Sequence, residues 1–225
     1  MFQFKQFTIH QQRCAMKVGT DGVILGAWAS GGRRVLDIGT GTGLIALMMS
    51  QRFAEAMVMA VDIDEETVLQ ARENVLASPF SGRIEVLGEA VQSLAQKEPL
   101  QGAFDSIVSN PPFFIDSLNA PDAQRNVARH ADTLSYSELM EAAWLLLGEE
   151  GELSVVVPFD YRRRMEDEAI FRGFFQSRVC AVKTKADKPA KRFLLAFRKH
   201  PCQCVSETMT VGDDCYRQLT QDFYL

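Results

Sequence analysis

A strand-like apolar run that leads into a glycine-rich turn constrains the fold more than any other part of this sequence. Val35-Leu36-Asp37-Ile38 is followed by Gly39, Gly41 and Gly43, and then by a second apolar run over 44–49. Glycine lets the backbone approach a ligand closely, and the amides at a helix N-terminus are available to bind it. The segment therefore predicts a strand, a ligand-binding turn and a helix.

The spacing of the glycines separates two classes of ligand. The dinucleotide pattern Gly-x-Gly-x-x-Gly, counted from Gly39, needs glycine at position 44, where this chain has Leu44. Asp37 precedes the turn, and a carboxylate there repels a pyrophosphate but accepts hydrogen bonds from an ammonium group. S-adenosylmethionine carries an ammonium group and no phosphate, so we expect it as the cofactor, in a site formed by Asp37, Gly39, Gly41 and Gly43. A tight turn that binds no nucleotide is the alternative.

Two further acidic residues follow predicted strands. Asp62 closes the strand predicted over 56–61, at the distance from the glycines where α/β nucleotide-binding folds place an acid against ribose hydroxyls. Glu89 follows the strand predicted over 84–87, and we expect its carboxylate at the adenine amino group of the donor unless it is an exposed loop residue. Asp64 precedes Glu65 and Glu66 and is typical of a helix N-cap.

A second motif, Asn110-Pro111-Pro112-Phe113, follows the strand predicted over 105–108. Consecutive prolines cannot continue a strand, because each lacks the backbone donor. They leave the Asn110 side chain and nearby carbonyls as acceptors for a planar amino group, and Phe113 as a stacking face. The motif resembles the catalytic motif of methyltransferases that act on exocyclic or amide nitrogens; a stiff loop with a core phenylalanine is the alternative.

The remaining pattern alternates apolar strands with helices, which predicts an α/β fold with a mostly parallel sheet. Ser135 and Glu138 form a capping box before a helix predicted over 137–147. We expect further helices over 22–30, 44–52, 65–76 and 161–171 and further strands over 152–157, 177–183 and 192–198. One domain is expected over 1–225, with residues 1–30 as an N-terminal extension that contributes to the donor site.

Composition excludes several classes of protein. The chain has no apolar stretch long enough to cross a membrane and no secretory signal pattern. Its five cysteines are too few for a disulfide framework in a chain of this length, and their number is odd. Cys202 and Cys204 have no second cysteine pair and no nearby histidine except His200, so no metal is expected. We therefore expect a cytoplasmic protein.

The charge of the chain is distributed unevenly. Over 158–200 there are twelve Lys or Arg against five Asp or Glu, whereas the remainder has twelve against twenty-four. A basic patch of this kind attracts phosphate backbones, although it can also be an ordinary solvated surface. The residues expected to contact RNA lie in the segment 183–192, which we call the basic tip: Lys183, Lys185, Lys188, Lys191 and Arg192.

The chain resembles the class I S-adenosylmethionine-dependent methyltransferases and, within them, the bacterial tRNA1(Val) adenine-N6 methyltransferase family. The segments that carry the closer resemblance are 7–11, 16–23, 25–29 and 125–130, and the motifs at 37–43 and 110–113 belong to the wider superfamily. Glu89 departs from the aspartate found in many relatives. The resemblance implies a Rossmann-like, seven-stranded, mostly parallel sheet with an antiparallel last strand, and it adds Thr20 and Asp21 to the cofactor-binding residues.

The resemblance implies an enzyme that methylates the N6 amino group of the adenosine next to the anticodon in a valine tRNA, with Asn110, Pro111, Pro112 and Phe113 as the catalytic residues. The tRNA is the expected partner, and no obligate protein partner is expected. Three alternatives stay open from the sequence: a guanine-N2 methyltransferase of ribosomal RNA, a protein glutamine methyltransferase, and a non-catalytic RNA-binding protein that retains a donor pocket.

Overall fold

The alternation of strands and helices produces an eight-stranded sheet. In the computed structural model, which describes residues 1–14, 16–112 and 134–225, the spatial strand order is β10-β8-β9-β7-β6-β3-β4-β5. Strand β9 runs antiparallel to β7 and β8, and every other pairing in the sheet is parallel. The strands are β3 (Arg34–Ile38), β4 (Met57–Asp62), β5 (Ile84–Gly88), β6 (Phe104–Ser109), β7 (Leu147–Pro158), β8 (Phe175–Lys183), β9 (Arg192–Arg198) and β10 (Val205–Thr210).

Helices cover both faces of the sheet. The described helices are α1 (Thr20–Trp28), α2 (Leu44–Arg52), α3 (Glu65–Leu76), α4 (Val91–Ala95), α5 (Tyr136–Leu146), α6 (Phe159–Arg172) and α7 (Asp214–Thr220). One buried apolar cluster joins the sheet to residues of α1, α2 and α3, and a second joins it to residues of α4, α5 and α6. This arrangement explains the continuous apolar character of the central strands, because both of their faces are buried.

The sequence predicted most of this architecture. Helices α2 and α3 and strand β9 have the expected bounds, and the capping box of Ser135 and Glu138 is confirmed at the start of α5. The predicted α/β, mostly parallel sheet with a final antiparallel strand is confirmed for β3 to β9. The expected count of seven strands is wrong, because β10 adds an eighth strand parallel to β8.

The elements that the sequence did not reveal are short or polar. Strand β10 has the sequence VSETMT, and only Met209 is buried, because the strand lies at the edge of the sheet. Two short strands, β1 (Phe2–Gln3) and β2 (Thr8–Ile9), form a separate antiparallel pair. Among the described helices, none is long and apolar enough to cross a membrane.

The parallel strands bring the motifs of the sequence to one edge of the sheet. Strands β4, β3, β6 and β7 are neighbours and run in the same direction, so their carboxyl ends lie side by side. The glycine turn follows β3, Asp62 ends β4, and Asn110 follows β6. We call this edge the carboxyl edge and the opposite one the amino edge.

Candidate active site at the carboxyl edge

The glycine turn leaves open space above its backbone. Gly39, Gly41 and Gly43 have φ angles of +70°, +57° and +81°, a region that side-chain-bearing residues rarely adopt. A Cβ atom built on Gly39 or Gly41 meets no described atom within 4 Å, whereas one on Gly43 lies 3.6 Å from Ala71 of α3. The first two glycines therefore border a cradle, and the third packs the turn against α3.

Asp37 lies beneath the turn and holds its shape. The side chain is completely buried, and its Oδ2 accepts hydrogen bonds from the Thr40 hydroxyl (2.6 Å) and from the Ala46 amide (3.1 Å). Burial raises the pKa of Asp37 to about 7, against the lowering effect of these two hydrogen bonds. Its Oδ1 is buried and has no hydrogen-bond partner among the described residues. Asp37 thus holds the turn in place through Oδ2, while Oδ1 remains an acceptor without a partner among the described residues.

Asp62 faces the same turn from the neighbouring strand. Its Oδ2 accepts a hydrogen bond from the Gly41 amide at 2.9 Å, and its Oδ1 accepts one from the Asp64 amide at 3.2 Å. The side chain is half-buried, so it borders the cradle and remains accessible. Asp64 caps α3 by accepting from the Thr67 amide at 2.7 Å, as the sequence predicted. The two carboxylates therefore differ in their roles although they are two residues apart in the chain.

Glu89 reaches the site from the end of β5. Its amide donates to the Asp62 carbonyl at 3.0 Å, which joins the ends of β4 and β5. The half-buried carboxylate lies 2.6 Å from the Lys97 ammonium group. Lys97 was not identified from the sequence. The Lys97 ammonium group orients the Glu89 carboxylate and partly offsets its negative charge at the cradle.

Asn110 presents an acceptor next to the cradle. The Ser109 hydroxyl donates to the Ile38 carbonyl at 2.9 Å, so the end of β6 is fixed to the end of β3. The Asn110 Nδ2 donates to the sulfur of Met16 at 3.4 Å, while its Oδ1 is buried and has no partner among the described residues. Pro111 is buried and Pro112 is half-buried. Phe113 and the segment 125–130 lie outside the described residues.

The N-terminal segment packs along α3 beside the glycine turn. The Asn74 side chain accepts from the His10 amide at 2.9 Å and donates to the carbonyls of His10 and Thr42, each at 2.8 Å. Thr42 belongs to the turn, so a single amide side chain ties the extension to the cradle. Farther along, Met16 reaches Asn110 as described above. Sequence reasoning did not identify Asn74, because its complete burial, which requires such bonds, is known only from the structure.

Thr20 and Asp21 begin α1 at the same edge. Thr20 is exposed, and the half-buried Asp21 accepts a hydrogen bond from Arg192 Nε at 2.7 Å. This ion pair connects α1 to the first residue of β9, and hence to the basic tip. Both predicted roles, cofactor binding for Asp21 and RNA contact for Arg192, remain predictions, but each side chain already has a charged partner.

The basic tip stands at the carboxyl edge, because it joins the end of β8 to the start of the antiparallel strand β9. Lys185, Lys188 and Lys191 are exposed, and Lys183 is half-buried and donates to the Ala186 carbonyl at 3.3 Å. Lys188 lies 4.0 Å from Asp187, a contact that contributes little at this exposure. Among the described residues, no group of three or more His, Cys, Asp or Glu side chains is arranged to hold a metal ion.

Comparisons with known proteins agree with this arrangement. The model of the methyltransferase small domain family matches residues 23–186. A protein of Bacteroides fragilis named tRNA1(Val) (adenine(37)-N6)-methyltransferase is 46% identical over all of this chain and 97% of its own length. Proteins of the same name from Trichodesmium erythraeum and Serratia proteamaculans are each 43% identical over all of this chain, covering 97% and 89% of their own lengths.

The chain belongs to the tRNA1(Val) (adenine(37)-N6)-methyltransferase family. It is a methyltransferase, as predicted.

Solved structures support the same fold. A structure described as a predicted O-methyltransferase of Agrobacterium tumefaciens superposes with a TM-score of 0.68 at 18% identity, over 90% of this chain and 96% of the other. A ribosomal protein L11 methylase of Lactobacillus delbrueckii gives a TM-score of 0.54 at 21% identity, over 80% of this chain and 77% of its own. At these identities the likeness shows the Rossmann-like methyltransferase fold.

Proposed function

We propose that this family member transfers a methyl group from S-adenosylmethionine to the N6 amino group of adenosine 37, next to the anticodon, in a valine tRNA. The observation that carries the proposal is the Asn110 Oδ1 atom, a buried acceptor without a partner among the described residues, beside an open glycine turn. An unpaired buried acceptor is unfavourable unless a ligand supplies its donor. The names of the full-length relatives point to adenine as that donor.

The residues around the cradle fit the donor. The free space over Gly39 and Gly41 admits a ligand against the backbone, and the spare Asp37 Oδ1 is an acceptor close to that backbone. The half-buried Asp62 would bind the ribose hydroxyls, and Glu89 would bind the adenine end of the donor. When bound, S-adenosylmethionine supplies an electrophilic methyl group on a sulfonium. We also propose that residues 1–30 complete this site, because Asn74 fixes the extension to the turn.

The acceptor side of the reaction requires positioning more than acid–base chemistry. The lone pair of the adenine amino group is delocalised into the ring, so the nitrogen is a poor nucleophile. Hydrogen bonds from its two N–H groups to Asn110 Oδ1 and the Pro111 carbonyl would favour a pyramidal nitrogen with its lone pair exposed. The stiff prolines hold these acceptors in place, so the enzyme works mainly by orientation and exclusion of water. Phe113 would stack on the extruded base.

The position of the basic tip suits a tRNA substrate. An overall charge of −5 repels RNA, so a local positive surface is needed near the catalytic residues. Lys185, Lys188 and Lys191 supply it at the carboxyl edge. We infer that the enzyme acts in the cytoplasm, on tRNA, without an obligate protein partner.

Methylation of unmodified transcripts would test the function directly. Purified protein and S-adenosylmethionine should convert A37 of a valine tRNA transcript to N6-methyladenosine, measured by mass spectrometry of the digested nucleosides. The matched control is the same transcript with G37, which should remain unmodified. Appearance of N2-methylguanosine, or methyl transfer to protein glutamine with no transfer to RNA, would contradict the proposal.

A further inference from the structure

An exposed aromatic residue lies at the carboxyl edge, directly after the strand next to the one that leads to Asn110. Phe159 is the first residue of α6, directly after the end of β7, and its side chain is 59% exposed. The neighbouring Phe193 is 6% exposed, with its ring centroid 6.2 Å from that of Phe159. Phe193 therefore fills the core, while much of the Phe159 ring remains in contact with water.

The sheet register fixes the position of Phe159 relative to Asn110. Ser109 of β6 is aligned with Val155 of β7, so Asn110 is level with Val156. Phe159 is three residues farther along the chain. At a rise of about 3.3 Å per residue and a strand separation of about 4.8 Å, its backbone lies roughly 10 Å above Asn110 and one strand to the side. That separation is on the scale of one or two nucleotides.

Both segments that meet at Phe159, the start of α6 and the basic tip, carry cationic residues. The Phe159 amide donates to the Lys191 carbonyl at 3.0 Å, which fixes the start of α6 to the basic tip. Arg163, one helical turn farther along, has a 93% exposed side chain and lies 3.8 Å from Asp167. Arg162 lies 4.3 Å from the centroid of the Phe193 ring. The acidic residues Asp160, Glu166 and Asp167 line the same groove as Phe159. The basic tip, which the Lys191 carbonyl joins to Phe159, holds five Lys or Arg against one Asp and gives this region its excess of positive charge.

We propose that Phe159 is a stacking platform for a nucleobase that flanks the methylated adenosine in a single-stranded loop, with Lys191 and Arg163 contacting the adjoining phosphates. The proposal rests on the proposed function for its choice of RNA. Single-stranded bases that have left a helical stack are bound by aromatic side chains, and the excess of Lys and Arg in the adjoining basic tip matches the phosphate charge. Charge complementarity therefore favours RNA over an apolar protein surface as the occupant.

The test compares two exposed phenylalanines of the same helix. Phe171 is 88% exposed and lies near the other end of α6, at the amino edge, so Phe171→Ala is the matched control. Phe159→Ala should weaken binding of the anticodon stem-loop by roughly 5-fold to 100-fold, as expected for one lost stacking contact. Phe159→Trp should retain affinity and Phe159→Leu should not, because the contact needs an aromatic face. The slope of log affinity against log salt concentration should be unchanged, since no phosphate contact is removed.

A modified RNA identifies the contact. When the flanking nucleotides are made abasic one at a time, one of these stem-loops should bind wild type and Phe159→Ala equally well. Equal binding of Phe159→Ala and Phe171→Ala to the intact stem-loop would overturn the platform. So would loss of self-association or of a protein contact in Phe159→Ala with RNA binding unchanged, because the ring would then be a protein-docking residue. If wild type methylates A37 and Phe159→Ala binds the stem-loop as tightly as wild type does, only the stacking platform is refuted. Wild type that binds RNA through Phe159 but leaves A37 unmodified refutes the proposed function.

Discussion

Two clusters of polar side chains occupy opposite edges of the sheet, and they differ in how completely their acceptors are satisfied. At the amino edge, the 3% exposed Glu152 accepts hydrogen bonds from four donors at 2.6–3.0 Å. The donors are Ser30, Ser177, Arg178 and Arg198. At the carboxyl edge, Asp37 and Asn110 each keep a buried oxygen that lacks a partner among the described residues. A satisfied cluster is typical of a structural site, whereas two buried acceptors without partners beside an open glycine turn are typical of a site that a ligand completes.

The same contrast appears in proton affinity. Burial alone raises the pKa of both carboxyl groups. At Glu152, the hydrogen bond from Ser30 and the positive charge of Arg178 outweigh burial, so the pKa is lowered. At Asp37, burial dominates, and the pKa rises to about 7. One cluster is therefore built around a fixed charge, and the other around a carboxyl group that can gain or lose a proton near neutrality.

The largest expected effect comes from breaking the satisfied cluster. Glu152→Gln would leave the guanidinium groups of Arg178 and Arg198 without their buried counter-charge. Breaking a fully buried pair typically costs about 3–5 kcal/mol of unfolding free energy, and we expect the lower end of that range because the Arg178 and Arg198 side chains are 23% and 45% exposed. Urea denaturation measures it. The control is Glu149→Gln, because Glu149 has a 71% exposed side chain and pairs only with Lys199 and His200 among the described residues. Equal stability of the two variants would mean that the Glu152 cluster is not structural.

Removal of the unsatisfied Asn110 acceptor should affect catalysis rather than stability. Asn110→Ala should leave stability and donor affinity nearly unchanged, but it should lower the rate of methyl transfer by about 10²–10³-fold, the usual loss for one oriented catalytic hydrogen bond. Single-turnover assays give the rate, and calorimetric titration gives the affinity for S-adenosylmethionine. A variant with near-wild-type turnover would show that the Asn-Pro-Pro-Phe turn is only structural.

The raised pKa of Asp37 predicts a pH-dependent stability. Between an ordinary carboxyl pKa of about 4 and the folded-state value of about 7, the folded protein keeps a proton that the unfolded chain has lost. Wild-type stability should therefore fall, relative to Asp37→Asn, as pH rises through this window, by up to about 1.4 kcal/mol per pH unit. Denaturation of both variants at pH 4 to 8 measures it. Asp64→Asn is the control, because hydrogen bonds with Thr67 lower the pKa of Asp64 and leave it ionised throughout the upper part of the range. A constant difference between wild type and Asp37→Asn would exclude proton uptake at Asp37.

The sequence predicted those parts of the fold and site that depend on local pattern. Continuous apolar strands, the glycine turn and the capping box at Ser135 are each encoded within a few neighbouring residues. The edge strand β10 was not predicted because its sequence is mostly polar. Its position depends on pairing with β8, which lies more than twenty residues earlier in the chain.

Contacts between residues that are distant in the chain were not predicted, for the same reason. The Asp21–Arg192 ion pair spans 171 positions, and the Trp28–Glu207 hydrogen bond spans 179. No periodicity or motif connects such residues; only the topology brings them together. Predicted ligand contacts were therefore easier to name than the side chains that orient them, such as Lys97 at Glu89 or Asn74 at Thr42.

The smallest expected effect concerns the surface charge of the two edges of the sheet. Lys185 and Lys191 are exposed at the carboxyl edge, whereas Lys5 and Arg33 are exposed at the amino edge. The double variants Lys185→Gln/Lys191→Gln and Lys5→Gln/Arg33→Gln remove the same charge, so a difference between them reports position. If the basic tip contacts phosphates, only the first double variant should weaken tRNA binding, and it should reduce the slope of log affinity against log salt by roughly 1–2. The loss should be similar for cognate and non-cognate tRNA, since phosphate contacts do not read sequence.

Filter binding at several salt concentrations measures both slopes. Coincident slopes for the two double variants would place the RNA contacts outside the tip, and the ion pair of Arg192 with Asp21 would then have a structural role.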